Sequence, residues 1–277
     1  MTRSAMFPKG KSTIVPAPHV GRWLSILLTS VVLVLLLRSV ALNPRFRWEV
    51  VASYLFAPQI MHGLWLTLEL TASAMLIGTL GGVVLAIMRI SQSRFLSTAA
   101  WVYIWLFRGT PVLVQLLLWY NIQALYPQIS FGFGSIDVNA LVSPVMAAIF
   151  GLGLNEAAYM AEITRAGINS IDRGQVQAAQ ALGMTRAETL RRIVLPQAMR
   201  VIIPPTANQA IGLLKTSSIA SVIAVTEILY SAQLLYSVNY LTVQLLIVAS
   251  IWYLFITTLL SIGQHCLEQR FKRGEHA

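Results

Sequence analysis

"QVQAAQALGMTRAETLRRIVLP" occupies residues 175–196. The stretch is polar and basic, with small residues concentrated in its first half. Asp172, followed three residues later by Gln175, has the form of a capping box, in which two side chains reciprocally satisfy the free amides of a helix start. The helix opened there is expected to run to Leu182 and stop at Gly183, since glycine enters the left-handed C-terminal turn without penalty. Thr185 with Glu188 makes a second capping box. Its helix carries Leu190, Ile193 and Val194 and is expected to give way near Pro196. The spacing thus predicts helix, sharp turn, helix. Ala178, Ala179 and Ala181 give the first of these helices a smooth, narrow ridge. A ridge of this kind suits docking in a groove of another protein. Arg186, Arg191 and Arg192 suit a hairpin lying on lipid headgroups. The residues alone leave both readings open.

Around this segment the chain is intensely apolar. Of 277 residues 56% are hydrophobic and 11% charged, against about 25% charged in soluble domains. One core cannot hide that much apolar surface from water, which points to an integral membrane protein. Six stretches are long and apolar enough to cross a bilayer: residues 23–41, 64–88, 111–125, 141–163, 201–225 and 241–262. The third could begin earlier, because Trp101 to Phe107 is also apolar. The first has an alternative reading as a signal peptide cleaved after Ser39-Val40-Ala41; Arg38, at the end of its apolar run, speaks for an uncleaved helix.

The net charge of +10 is a matter of topology. With a cytoplasmic N-terminus, Arg3, Lys9, Lys11, Arg22, Arg89, Arg94, Arg165, Arg173, Arg186, Arg191, Arg192, Arg200, Arg270, Lys272 and Arg273 all fall on one side, and Arg38, Arg45 and Arg47 on the other. Basic residues collect on the cytoplasmic side of short loops, so both termini and the 175–196 segment are expected there. No basic patch of the kind nucleic acid requires is formed. The single cysteine, Cys266, excludes a disulfide framework, and the four histidines lack ligand spacing.

Ala74, Gly78, Gly82 and Ala86 recur every four residues, a stripe that lets helix backbones approach closely. Glu69, Glu156, Glu162, Lys215 and Glu227 fall within or at the ends of spans, where an ionisable group costs at least about 2.5 kcal/mol and usually faces a cavity or a partner. Lys215 is a candidate partner for Glu156 or Glu69. Asn155, Asn208, Thr216, Ser217 and Ser218 offer amides and hydroxyls, so Glu69, Asn155, Glu156, Asn208, Lys215, Ser217 and Ser218 are candidates for a substrate path; structural ion pairing is the competing reading. Arg108 and Glu162, nearer the cytoplasmic helix ends, are candidates for a latch between helices. Pro204-Pro205 should kink or break its helix.

Gln177-Ala178-Ala179, Gly183 and Ile193-Val194-Leu195-Pro196 at this spacing resemble the EAA loop of ABC importer permeases, with Gln177 where that family carries glutamate. Phe107-Arg108-Gly109-Thr110-Pro111 with Val114-Gln115, Ala157-Ala158-Tyr159-Met160-Ala161-Glu162 with Arg165, and Asn208-Gln209 with Leu213-Leu214-Lys215-Thr216-Ser217-Ser218 are similar to motifs of its polar amino-acid uptake branch. Thr216 stands where those relatives usually have aspartate. The resemblance covers about residues 60–265.

It implies an all-α integral membrane fold with a five-helix type I importer core, here preceded by an extra N-terminal helix. The division would be a tail, helix and periplasmic loop over 1–58, a permease core over 59–265 with a coupling loop over 168–200, and a cytoplasmic tail over 266–277. Gln177, Ala178, Ala179, Gly183, Leu195 and Pro196 would couple the chain to a cytoplasmic ABC ATPase dimer, with Gly183 setting the angle. Further implied partners are a second permease, copy or sister, and a periplasmic or lipid-anchored binding protein. ATP and magnesium would sit on the ATPase and no cofactor on this chain, which has no G-x-x-x-x-G-K-[ST] loop and is not expected to be an enzyme. The location implied is a bacterial inner membrane. An ion-coupled secondary transporter is the alternative; the inverted repeats common in that class are not evident.

Overall fold

The computed structural model describes residues 20–130, 135–137 and 143–273. The expected N-terminal tail before residue 20, the first two residues of the fourth predicted span and the last four residues lie outside them. Two compact units divide at Arg47/Trp48.

The first unit holds α1 (Val20–Leu42) and a short 3-10 turn, Pro44–Phe46, capped by the Asn43 side chain. α1 is long and apolar enough to cross a membrane.

The second unit runs α2 (Trp48–Tyr54), α3 (Pro58–Ile90), α4 (Arg94–Gly109), α5 (Val112–Tyr120), α6 (Ile122–Leu125), β1 (Gln128–Ser130), β2 (Ser135–Asp137), α7 (Pro144–Asn169), α8 (Arg173–Ala181), α9 (Arg186–Thr189), a π turn Leu190–Val194, α10 (Leu195–Thr216), a 3-10 segment Ser217–Ile223, α11 (Ile228–Asn239) and α12 (Thr242–Arg273). α3 and α12 also qualify as spans, as do two bent pairs, α4 with α5 at 102° and the α9–α10 run with α11 at 44°, giving three to five in all. The all-α expectation needs one amendment. β1 and β2 pair antiparallel, Gln128 opposite Asp137 and Ser130 opposite Ser135; the polar-apolar-polar alternation of each is a strand pattern too short to stand out in the sequence.

The packing runs inside out compared with a soluble protein. On α3 the stripe Ala74, Gly78, Gly82 and Ala86 is buried, while Trp65, Leu76, Leu80 and Ile87 are exposed. Lipid gives no hydrophobic push between helices, so they associate through close backbone contact on small residues. Gly82 sits so tightly on α7 that an added Cβ would stand 2.9 Å from the Ala161 amide nitrogen. A second core, around Val51, Ile60, Ile228, Leu245 and Val248, joins α2, α3, α11 and α12. Glu227, fully buried, serves that end as the N-cap of α11: its carboxylate accepts from the Leu229 and Tyr230 amides and, at 2.6 Å, from the Tyr253 hydroxyl.

The helix does not break at Pro204-Pro205. α10 continues through both prolines, held where buried Ala198 and Ile202 pack against Gly167 of α7. Such packing lets helices in a bilayer tolerate interior prolines. The interruption comes later, after the 3-10 segment, where Ala224 is left-handed at φ 61°.

Candidate functional site

α4 and α5 part at Gly109-Thr110-Pro111, because Pro111 has no amide proton to offer the Phe107 carbonyl. Two side chains replace it. Gln115 Nε2 donates to Phe107 O at 2.8 Å and to Thr110 Oγ1 at 2.6 Å. Asn155 Nδ2, from α7, donates to Phe107 O at 2.9 Å and to Gln115 Oε1 at 3.1 Å. The break is thereby a satisfied, fixed elbow.

Behind the elbow lies a cavity of about 490 Å3 bounded by α4, α5, α7 and α10. Its polar wall comprises Arg108, Thr110, Asn155, Glu156, Tyr159, Gln209 and Thr216. Glu156 is 5% exposed and its Oε1 accepts from Gln209 Nε2 at 3.0 Å, linking α7 to α10. Arg108 reaches over the Tyr159 ring, 5.3 Å from its centroid, and stands 3.8 Å from Glu162 Oε2. Arg165 holds the same carboxylate with two bonds, at 3.1 and 2.7 Å. The cavity therefore presents a guanidinium, a carboxylate and amide groups within one space, a set able to receive a small solute carrying both signs of charge.

The structure brings only part of the predicted substrate path to this cavity. Asn155 and Glu156 line it, though the Asn155 amide is engaged with the elbow. Glu69, Asn208, Lys215, Ser217 and Ser218 do not line it. Glu69, Asn208 and Lys215 are exposed. Ser217 is buried with its hydroxyl on Leu214 O at 2.7 Å, and Ser218 donates to Lys215 O at 2.7 Å. Among the described residues no ion pair joins Lys215 to Glu156 or Glu69. Lys215 lies six residues beyond Gln209, about 240° around the helix, and so faces away from Glu156. The Arg108–Glu162 pair is present, with Arg165 as an unforeseen third member. Gln209, Tyr159 and Thr110 were missed as cavity residues. The available signal was Gln209 at the end of the polar stretch Thr206-Ala207-Asn208-Gln209 that follows Pro204-Pro205.

The 175–196 segment folds as a helical hairpin. Asp172 caps α8 through the Gly174 amide, but the reciprocal half of the box is missing: Gln175 Oε1 instead accepts from Gln197 Nε2 at 2.6 Å, tying the hairpin to α10. Gly183 is left-handed at φ 80°. The Thr185–Glu188 box is complete, Thr185 N to Glu188 Oε2 at 2.9 Å and Glu188 N to Thr185 Oγ1 at 3.3 Å. The Thr185 backbone amide, then its hydroxyl, hold the Glu188 carboxyl below the ordinary glutamate range. Two expectations are corrected. Ala179 is 5% exposed and packs inside the hairpin, because Met184 N turns back to Ala179 O at 3.1 Å and folds the return strand over it. The outward ridge is Gln177, Ala178, Ala181 and Leu182, the last 85% exposed. Nor does the chain give way at Pro196. The proline lies in the first turn of α10, directly after the wide π turn that carries α9 into it, and the helix runs on through it.

Residues 78–273 match the family model described as the binding-protein-dependent transport system inner membrane component. The chain belongs to this family. It is 42% identical over 275 residues to the arginine transport system permease protein ArgU of Corynebacterium glutamicum, covering 96% of this chain and 87% of that protein. It is 35% identical to the L-cystine transport system permease protein TcyB of Bacillus subtilis, over 86% of this chain and 96% of the relative. Among solved structures, an amino acid ABC transporter with histidines superposes with TM-score 0.70 at 36% identity, covering 78% of this chain and 95% of that one. The MetNI methionine transporter shares the fold at TM-score 0.58 and 19% identity. The chain is thus a permease subunit of ABC importer type, in a family whose members are inner-membrane components.

Proposed function

We propose that this chain forms the translocation path of an ATP-driven importer of polar amino acids or close derivatives in a bacterial cytoplasmic membrane. The cavity behind the α4–α5 elbow receives the solute, with Arg108 facing its carboxylate and Glu156 its ammonium. Residues 59–265 are the permease core and 1–58 add one further span, making six, with both termini cytoplasmic. α7, at 26 residues, is long enough to complete the count.

The hairpin over 168–200 seats on a cytoplasmic ATPase dimer that holds ATP and magnesium. A second permease, copy or sister, and a periplasmic or lipid-anchored binding protein complete the assembly. The observation that carries this reading is the exposed ridge Gln177, Ala178, Ala181 and Leu182 beside left-handed Gly183. A fixed turn with small side chains at its crest is a fitting seat for a groove. The relatives are named for arginine and cystine transport, which supports a solute bearing both charges.

The test is purification followed by an amino-acid screen. The chain should bring an ATPase with it, and the reconstituted complex with its binding protein should hydrolyse ATP faster with one class of polar amino acid. Solute movement by the isolated chain, with no ATPase bound, would reject the proposal.

A further inference from the structure

A second cavity, of about 440 Å3, opens beside Glu162 on the other side of Arg108 from the central one. Arg89, Arg108 and Arg165 stand in its wall with Glu162 as the one carboxylate. Three guanidinium groups against one carboxylate leave two positive charges over. Arg165 already holds both oxygens of Glu162, and Arg108 reaches it only at 3.8 Å. Arg89 uses one donor on the Ser97 hydroxyl, at 2.8 Å; a guanidinium has five.

We propose that this cavity binds a phosphate-bearing anion, the headgroup of an anionic phospholipid in the leaflet on the hairpin side. Forked guanidinium donors match the oxygens of a phosphate, and surplus basic charge at a membrane surface attracts anionic headgroups, by about 1 kcal/mol per arginine. Depth favours lipid over a soluble phosphate. Arg89 lies in the last turn of α3, at the end of its span. Trp101 and Trp105, both exposed, line the same cavity with rings stacked at 6.3 Å, and tryptophan collects at headgroup level. Basic pockets between helices on this side are a recurrent lipid-binding arrangement.

The permease in complex with its ATPase would be placed in discs of phosphatidylcholine with or without phosphatidylglycerol, and the lipid it keeps counted by native mass spectrometry. Phosphatidylglycerol should be kept in preference to phosphatidylcholine. Arg89→Gln should weaken its retention about fivefold, the loss of one surface cation. Arg89→Lys should lose less, since the charge stays. Arg94→Gln, at the start of α4 and outside the cavity wall, should leave retention unchanged. Glycerol phosphate offered to the phosphatidylcholine sample distinguishes the sources: binding as tight as that of phosphatidylglycerol would assign the site to soluble phosphate and overturn the lipid assignment. No preference for phosphatidylglycerol, or equal losses in Arg89→Gln and Arg94→Gln, would overturn the site altogether.

Discussion

Asn155 donates its side-chain amide to the Phe107 carbonyl at 2.9 Å, standing in for the backbone proton that Pro111 lacks. A residue of the α7 cavity wall thus holds the α4–α5 elbow in shape. Asn155→Leu keeps the volume but removes the donor, and should destabilise the protein by about 1–3 kcal/mol. Asn208→Leu, on the exposed side of α10, should stay within about 0.5 kcal/mol. Thermal unfolding of the purified complex compares the two; equal midpoints would remove Asn155 from this role.

The α3–α7 seam makes a graded prediction. An added Cβ at Gly78 would lie 2.6 Å from Glu156 Cγ, a side-chain atom. At Gly82 it would press on Met160 and, at 2.9 Å, on the Ala161 backbone. Overpacking costs about 1–3 kcal/mol, and backbone yields less than a side chain, so Gly82→Ala should cost more than Gly78→Ala. Gly78→Ala should instead act on transport, by displacing Glu156 from Gln209. Gly263→Ala meets nothing within 4 Å and should be neutral or stabilising by up to about 1 kcal/mol. Denaturation midpoints and uptake rates, measured side by side, separate these cases.

Gly183 sits at φ 80°, where a side chain costs about 1–2 kcal/mol. Gly183→Val should leave the protein in the membrane yet uncouple substrate from ATP hydrolysis, while Gly183→Asn, tolerant of this conformation, should keep most coupling. Full coupling in the valine variant would show that the turn geometry does not matter.

Glu188 gives the hairpin a pH dependence. Its carboxyl is held below the ordinary range by Thr185, so the ionised form favours the folded hairpin. The contribution is complete above the unfolded glutamate value of about 4.3 and fades as pH falls through the lower folded value. Amide exchange at Thr185 and Glu188 should accelerate in acid beyond its intrinsic trend. Glu188→Gln should flatten that response.

The small-residue stripe of α3, the long apolar helices α1, α3 and α12 and the hairpin with its glycine turn were legible because each rests on local periodicity or capping. Of the kink or break expected at Pro204-Pro205 the break does not occur: that expectation is local, whereas Gly167 packing on Ile202 is long-range. The pairing of Lys215 failed for a related reason, since sign of charge says nothing about helix face. The Gln115–Asn155 support of Phe107 joins residues 40 apart in sequence, and nothing near either one announces the other. Ala179 looked exposed because alanine fits a ridge and a core equally well.

The π turn at Leu190–Val194 leaves no joint between the hairpin and α10. From Arg186 to Gln209 the chain is continuously helical over about 35 Å, with the Gly183 turn just before one end and the Gln209–Glu156 hydrogen bond at the other. Swinging its base by about 10° would carry the far end about 6 Å over that length, more than enough to part a hydrogen bond. A displacement at the hairpin would thus reach the cavity behind the α4–α5 elbow as breakage of a single contact.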